Sequence, residues 1–181
     1  VAGIAIAAND ADALQPALTE AMDAGIKVIS LDSAVNKDSR QTHIQQADPE
    51  KIGRGLIQAA YEMVDGNGGI AVLSATAQAT NQNLWIEWMK KELEENPEKY
   101  ANTPLIKVAY GDDDPTKSTS ETQALLTDSS IKVIIAPTTV GMLAAGKVLQ
   151  DKQSDVKLTG LGLPSEMAPF IEDGTCPWMY L

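Results

Sequence analysis

Short apolar runs alternate along the chain with longer stretches in which apolar residues return every third or fourth position. Val1–Ala8 is a continuous apolar run, the pattern of a strand covered on both faces. Asn9-Asp10-Ala11-Asp12 then offers helix-capping chemistry, and Leu14, Leu18 and Met22 repeat along one helix face up to a C-cap at Gly25. Ile26–Leu31 predicts the next strand, so the first 31 residues form a β-α-β unit whose strands run parallel. The pattern then lapses. Asp32 to Pro49 is polar apart from a short extended piece, Thr42-His43-Ile44-Gln45, and here the chain could pass from one lobe to another. Asp48-Pro49 caps a helix with the stripe Ile52, Leu56, Ala60 and Met63, which Gly66-Asn67-Gly68-Gly69 ends. Predicted strands follow at 70–74, 105–110, 131–136 and 156–161, with helices near 81–96, 118–126, 140–150 and 164–172 and a last strand from about Trp178.

This alternation predicts an α/β fold with parallel sheets flanked by helices. The units fall into two groups. Residues 1–44 read as part of a first lobe with two strands, too few for a closed core, and residues 45–181 as a second lobe. The chain opens directly on a strand and stops in the apolar run Cys176–Leu181. Both ends therefore read as cuts in a longer chain, with further first-lobe strands expected before Val1.

Composition removes several classes of function. The chain has 181 residues and a net charge of −11, which repels phosphates and argues against a nucleic-acid surface. No apolar run approaches the roughly 18–20 residues that cross a bilayer. One Cys and one His leave no internal disulfide and no Cys/His zinc framework. His43 is the only His, with Thr42 and Gln41 beside it, Cys176 reads as core, and no Ser or Cys stands in a nucleophile elbow, so neither an enzyme nor a cofactor is expected. Two phosphate-loop likenesses fail. Gly141 to Val148 lacks the magnesium-binding Ser/Thr and lies in a helical pattern, and Gly160-Leu161-Gly162 lacks the third glycine of a dinucleotide fingerprint.

Ligands of open parallel sheets bind beyond the carboxyl ends of the strands. The segments there are Asn9-Asp10, Asp32-Ser33, Ala75–Asn83, Gly111–Asp114, Pro137-Thr138-Thr139 and Gly162-Leu163-Pro164-Ser165. They carry amides, hydroxyls and carboxylates with almost no cation, which suits a neutral polyhydroxylated ligand, since such groups both accept from and donate to sugar hydroxyls. Asp32 could contact a ligand or cap the next segment. Asn81, Gln82 and Asn83 could bind ligand, cap a helix, or do both. Asp112–Asp114 reads as a solvated turn, because the spacing lacks the Gly and distal Glu of a calcium loop. Trp85 and Trp88 read as core, with Trp85 alternatively stacking on a sugar's C–H face.

Several segments resemble bacterial sugar-binding proteins of ABC importers, the periplasmic-binding-protein family of ribose-binding type. Ala7–Leu14 with Pro16-Ala17-Leu18 is similar to their first-lobe loop and helix. Ser74-Ala75-Thr76 with Asn81–Ile86, Ala136–Gly141 and Thr159–Met167 resemble the rhamnose-binding members. The resemblance covers essentially the whole chain. It implies a two-lobe hinged receptor, a monomer, that binds L-rhamnose between its lobes and docks on permease subunits in the membrane. It implies a periplasmic location, or an extracellular lipid-anchored one in a single-membrane bacterium. The ligand-binding set it implies is Asp32 from the first lobe with Asn81, Gln82, Pro137, Thr138 and Thr139 from the second, and Asn9, Trp85 and Gly162 at the margins. The sister autoinducer-2 receptors carry Asp in place of Asn81 and Ala in place of Thr139, which argues for the sugar. Leu31 departs from the Trp common before that Asp. The family's cleft also uses a loop expected upstream of Val1 and a Trp-Asn pair expected after Leu181. The alternatives are an autoinducer-2 receptor and the sensing domain of a sugar-responsive transcriptional regulator with a DNA-binding headpiece upstream.

Overall fold

The computed structural model describes residues 1–180. It contains two parallel sheets. The first is built from β1 (Gly3–Ile6), β2 (Lys27–Leu31) and β3 (Thr42–Ile44) in that spatial order, with α1 (Gln15–Asp23) crossing between β1 and β2. The extended piece at Thr42 is therefore a third strand, in register with Ile29–Leu31, where the sequence suggested only two strands in this group. A small core of Ala8, Leu18, Val28 and Val35 lies under α1. The expected two-sided cover of β1 is absent among the described residues. Ile4 and Ile6 are half-buried while Gly3 and Ala5 are exposed.

The helix at Gln15 also starts differently from its expected capping. Leu14 stands at the cap without a side-chain bond, and Asp10 Oδ1 instead accepts from the Asp12 and Ala13 amides in the turn before it. Gly25 does end the segment, with φ at +83°.

The second sheet has the order β5-β4-β6-β7, made of β4 (Gly69–Ser74), β5 (Leu105–Tyr110), β6 (Ile131–Ala136) and β7 (Lys157–Gly160). Side chains alternate across a strand, and here both faces are covered. Ile70, Val72, Val133 and Ile135 pack under α2 (Pro49–Met63) and α3 (Thr80–Glu95), against Leu56, Ile57, Ala60, Trp85, Ile86 and Met89. Ala71, Leu73, Ile134, Ala136 and Leu158 face α4 (Pro115–Leu125), α5 (Thr139–Asp151) and α6 (Pro164–Glu172), against Leu125, Met142, Leu149, Met167 and Phe170. That is why β4 and most of β6 read as unbroken apolar runs. In place of the last strand expected from Trp178, Tyr180 makes an isolated parallel bridge to Leu161, and Leu181 lies outside the described residues.

Local chemistry sets the helix starts. Asp48 Oδ1 accepts from the Glu50 and Lys51 amides ahead of Pro49, as its sequence implied. Asp114 does the same for α4 by accepting from the Lys117 amide, so α4 begins at Pro115, three residues before the start expected from its apolar pattern. Helices α2 and α3 lie close, because a Cβ on Gly53 would sit 2.5 Å from the Trp85 carbonyl oxygen and the Trp88 Cβ. Arg54, braced by Glu50 on its own helix at 2.9 Å, fastens the same pair through Glu92 at 2.6 Å and Glu95 at 2.7 Å. Its guanidinium carbon lies 5.1 Å from the Trp88 ring centroid, and Lys91 Nζ lies 4.2 Å from it. Trp88 is thus a half-buried cation platform rather than the core residue its spacing suggested. The hydrogen bond from Arg54 holds the Glu95 carboxyl below the ordinary carboxylate range.

Candidate ligand-binding site

All strands of a parallel sheet end on the same side, so the loops after them gather at one edge. The loops after β1 and β2 at the edge of the first sheet touch the loop after β4 at the edge of the second. Their meeting point is Asp32. This residue follows β2 directly and holds φ at +56°, a left-handed conformation that Asp tolerates better than most residues. The turn aims the carboxylate across the gap. Its Oδ1 accepts from Gln46 Nε2 at 2.6 Å and from Asn81 Nδ2 at 3.2 Å. Oδ2 has no bond to a protein group among the described residues and is free to accept from a ligand. Asp32 is exposed.

Each residue singled out in the sequence can now be placed. Asp32 and Asn81 are brought into direct contact across the gap. Asn9 lies nearby, and its carbonyl accepts from Thr76 Oγ1 at 2.8 Å. The N-cap position of α3 falls to Ala79, which has no side-chain cap bond, while within the Asn81–Asn83 run Asn81 Oδ1 accepts from the Gln82 amide of the first turn at 2.7 Å. Gln82 turns inward instead. It is buried, and its Oε1 accepts from the Ala75 amide at 3.1 Å and Ser74 Oγ at 3.3 Å, which fixes the loop after β4. Asn83 Nδ2 donates to the Ala77 carbonyl at 2.8 Å within the same loop.

Pro137 and Thr138 are buried beyond β6, whereas Thr139 is exposed at the first position of α5. Thr138 Oγ1 donates to Asp113 Oδ1 at 2.7 Å, joining the loops after β5 and β6. Gly162 is buried beyond β7, and its amide donates to the Tyr180 carbonyl at 3.1 Å. Trp85 does not serve as a sugar platform in this arrangement. It is 3% exposed, packed between α2, α3 and the sheet, and its indole N–H has no partner among the described residues. The helical period put Trp85 on the same face as Gln82, Ile86 and Met89, and that face turns to the core.

The acidic run is a turn, as read, but its three carboxylates have separate duties. Asp112 and Asp113 both take left-handed φ, at +53° and +52°, and the Asp114 amide donates to the Gly111 carbonyl at 2.9 Å. Positive φ at both central residues is the mark of a type I′ turn. Asp112 pairs with Lys117, Asp113 holds Thr138, and Asp114 caps α4. Among the described residues, no group of three or more His, Cys, Asp or Glu side chains is placed to hold a metal ion. Burial pushes the Cys176 thiol up to about 11, so it stays protonated near neutral pH.

Sequence reasoning missed Gln46 altogether, whereas Ser33, Thr76, Thr80 and Asp113 lay in segments it placed beyond the strands but without the partners they make. Gln46 lies two residues beyond the short β3 and reaches back to Asp32. Nothing in the sequence separated the two threonine hydroxyls from other polar loop residues.

What these loops can do is exchange hydrogen bonds. They offer carboxylate acceptors, amides with both functions, and hydroxyls where the edges of the two sheets meet. The comparisons with known proteins agree with that chemistry. Residues 1–181 match the family model described as periplasmic binding protein domain. The chain is 53% identical, with a TM-score of 0.93, to an ABC transporter solute binding protein from Clostridium phytofermentas with bound L-rhamnose, covering 99% of this chain and 57% of that one. It is 42% identical, at TM-score 0.70, to a sugar ABC transporter structure from Actinomyces odontolyticus, covering 96% and 56%. The AI-2 complex of LsrB from Clostridium saccharobutylicum is 24% identical at TM-score 0.85, covering 97% and 57%, a likeness of fold. The chain thus spans somewhat over half the length of these structures. With its two parallel sheets flanked by helices, the chain belongs to the periplasmic binding protein domain family.

Proposed function

We propose that the chain is part of the substrate-binding component of an ABC importer that takes up a monosaccharide, L-rhamnose, between two lobes. The observation that carries this reading is the Asp32–Asn81 contact. A carboxylate from one lobe meets an amide from the other, and one carboxylate oxygen is left open. The 53% identity to a protein with bound L-rhamnose supports the choice of sugar. Thr139, exposed at the start of α5, and Asn81 are the departures from the autoinducer-2 pattern that favour a sugar over that signal.

The mechanism is a shift of population. A sugar that touches Asp32 and the second-lobe loops together does so only when the lobes are closed, and it favours closure by that difference in affinity. No bond is made or broken. Buried hydroxyl pairs give specificity, because a binding group left unpaired costs about 1–3 kcal/mol. In this reading residues 1–44 belong to the first lobe and 45–181 to the second. The receptor acts as a monomer outside the cytoplasmic membrane and hands its sugar to permease subunits.

Calorimetric titration of the full-length protein tests the reading. L-rhamnose is expected to bind at about 1 μM or tighter, with ribose and autoinducer-2 giving no heat beyond dilution. Binding of neither rhamnose nor any other pentose or hexose would remove the ligand assignment.

A further inference from the structure

We infer that the hydroxyls of Thr80 and Thr76 form a clasp that holds the two lobes closed and so sets how long the ligand stays bound. The inference rests on the sugar-receptor reading above. Thr80 is the first residue of α3, and its side chain crosses to the other sheet. Its Oγ1 accepts from the Ala34 amide at 2.9 Å and donates to the Ala34 carbonyl at 3.2 Å. Ser33 Oγ, buried beside them, lies 3.1 Å away and can donate to the same oxygen. One hydroxyl therefore uses its full hydrogen-bonding capacity on the segment just after Asp32. Four residues earlier, Thr76 Oγ1 donates to the Asn9 carbonyl, beyond β1.

Most of these partners are main-chain atoms of the first lobe, so the grip does not depend on which sugar is bound. The loop that carries both threonines is fixed from behind by Gln82 on the Ala75 amide and by Asn83 on the Ala77 carbonyl. It can therefore transmit the grip to the second sheet. In the proposed cycle these bonds are made in the closed form and lost on opening. They raise the closed fraction, and the observed dissociation constant falls in proportion to that fraction. Thr80 is thus a positioning residue that acts through closure.

Two variants of the full-length protein separate this role from simple packing. Thr80→Val keeps the shape and removes the hydroxyl, whereas Thr80→Ser keeps the hydroxyl. Stopped-flow release of L-rhamnose is expected to be about five- to thirty-fold faster in Thr80→Val, the range that one or two kcal/mol of lost closure gives. Release is expected to return near the parent rate in Thr80→Ser. Fluorescence transfer between one dye on each lobe, read without ligand, is expected to report a smaller closed fraction in Thr80→Val. Parent-like release and an unchanged dye distance in Thr80→Val would overturn the clasp. If the parent protein binds no rhamnose, the sugar reading fails by itself, and the ligand-free dye measurement alone decides the clasp.

Discussion

Asp32→Ala in the full-length protein is expected to weaken L-rhamnose binding by at least about a hundredfold. A hydrogen bond to a charged group contributes about 1.5–3 kcal/mol, and the carboxylate can hold two sugar hydroxyls, so the loss approaches 3 kcal/mol or more. The variant also removes the acceptor shared by Gln46 and Asn81, which leaves the two lobes without that contact. Ala at φ +56° adds backbone strain of about 1–2 kcal/mol. Asp32→Asn is the control for that strain, since Asn tolerates the left-handed region. It should retain the fold and still lose most of the affinity. Calorimetry on both variants, with circular dichroism for folding, reads the result. Rhamnose affinity within threefold of the parent in a folded Asp32→Ala protein would show that Asp32 does not hold the sugar.

The second large effect concerns stability. Gly160 ends β7 with φ at +153°, and a Cβ there would lie 1.9 Å from the Ala136 carbonyl oxygen and 2.9 Å from Met142 Sδ. The carbonyl is backbone and cannot swing away. It also accepts from the Leu161 amide at 3.1 Å, while the Gly160 carbonyl accepts from the Tyr180 amide at 2.8 Å. Any shift that relieves the clash breaks this stitching between β6, β7 and the segment at Tyr180. Gly160→Ala is therefore expected to cost about 4 kcal/mol or more, in the tail reserved for clashes and special backbone positions. For a domain of about 150–250 residues, that lowers the melting temperature by about 10 °C. Urea unfolding followed by circular dichroism measures it, and a loss under about 1 kcal/mol would mean that the β6–β7 edge is looser than the geometry describes. The same displacement would move Pro137 and Gly162, so rhamnose affinity should fall in whatever protein remains folded.

Much of the fold was legible because periodicity is a direct record of burial. The two-sided cover of β4 forces an unbroken apolar run, and the stripe on α2 forces the spacing of Leu56 and Ala60. What escaped depended on conformation rather than on composition. The Asp114-Pro115 start of α4 has the same chemistry as Asp48-Pro49, yet it was hidden inside an acidic run that read as one turn. The turn at Asp112–Asp114 was read as such, but the left-handed pair Asp112-Asp113 has no glycine to signal its type, so its aim of Asp113 at Thr138 could not be seen. Trp85 took its default reading as core, at 3% exposure, rather than the alternative. Its nearness to a binding loop offered a sugar contact as the alternative, but Trp85 shares the helix face of Gln82, Ile86 and Met89, and that face turns to the core. At the site, the residue types were readable and the partnerships were not. Asp32 and Asn81 stand 49 positions apart, and only the meeting of two sheet edges joins them.

The most direct measurement is the crystal structure of the full-length protein with L-rhamnose. The sugar is expected between the lobes, with its hydroxyls on the Asp32 carboxylate and within hydrogen-bonding reach of Asn81 and the Thr139 segment. A sugar bound elsewhere, with Asp32 still joined only to Gln46 and Asn81, would contradict the reading.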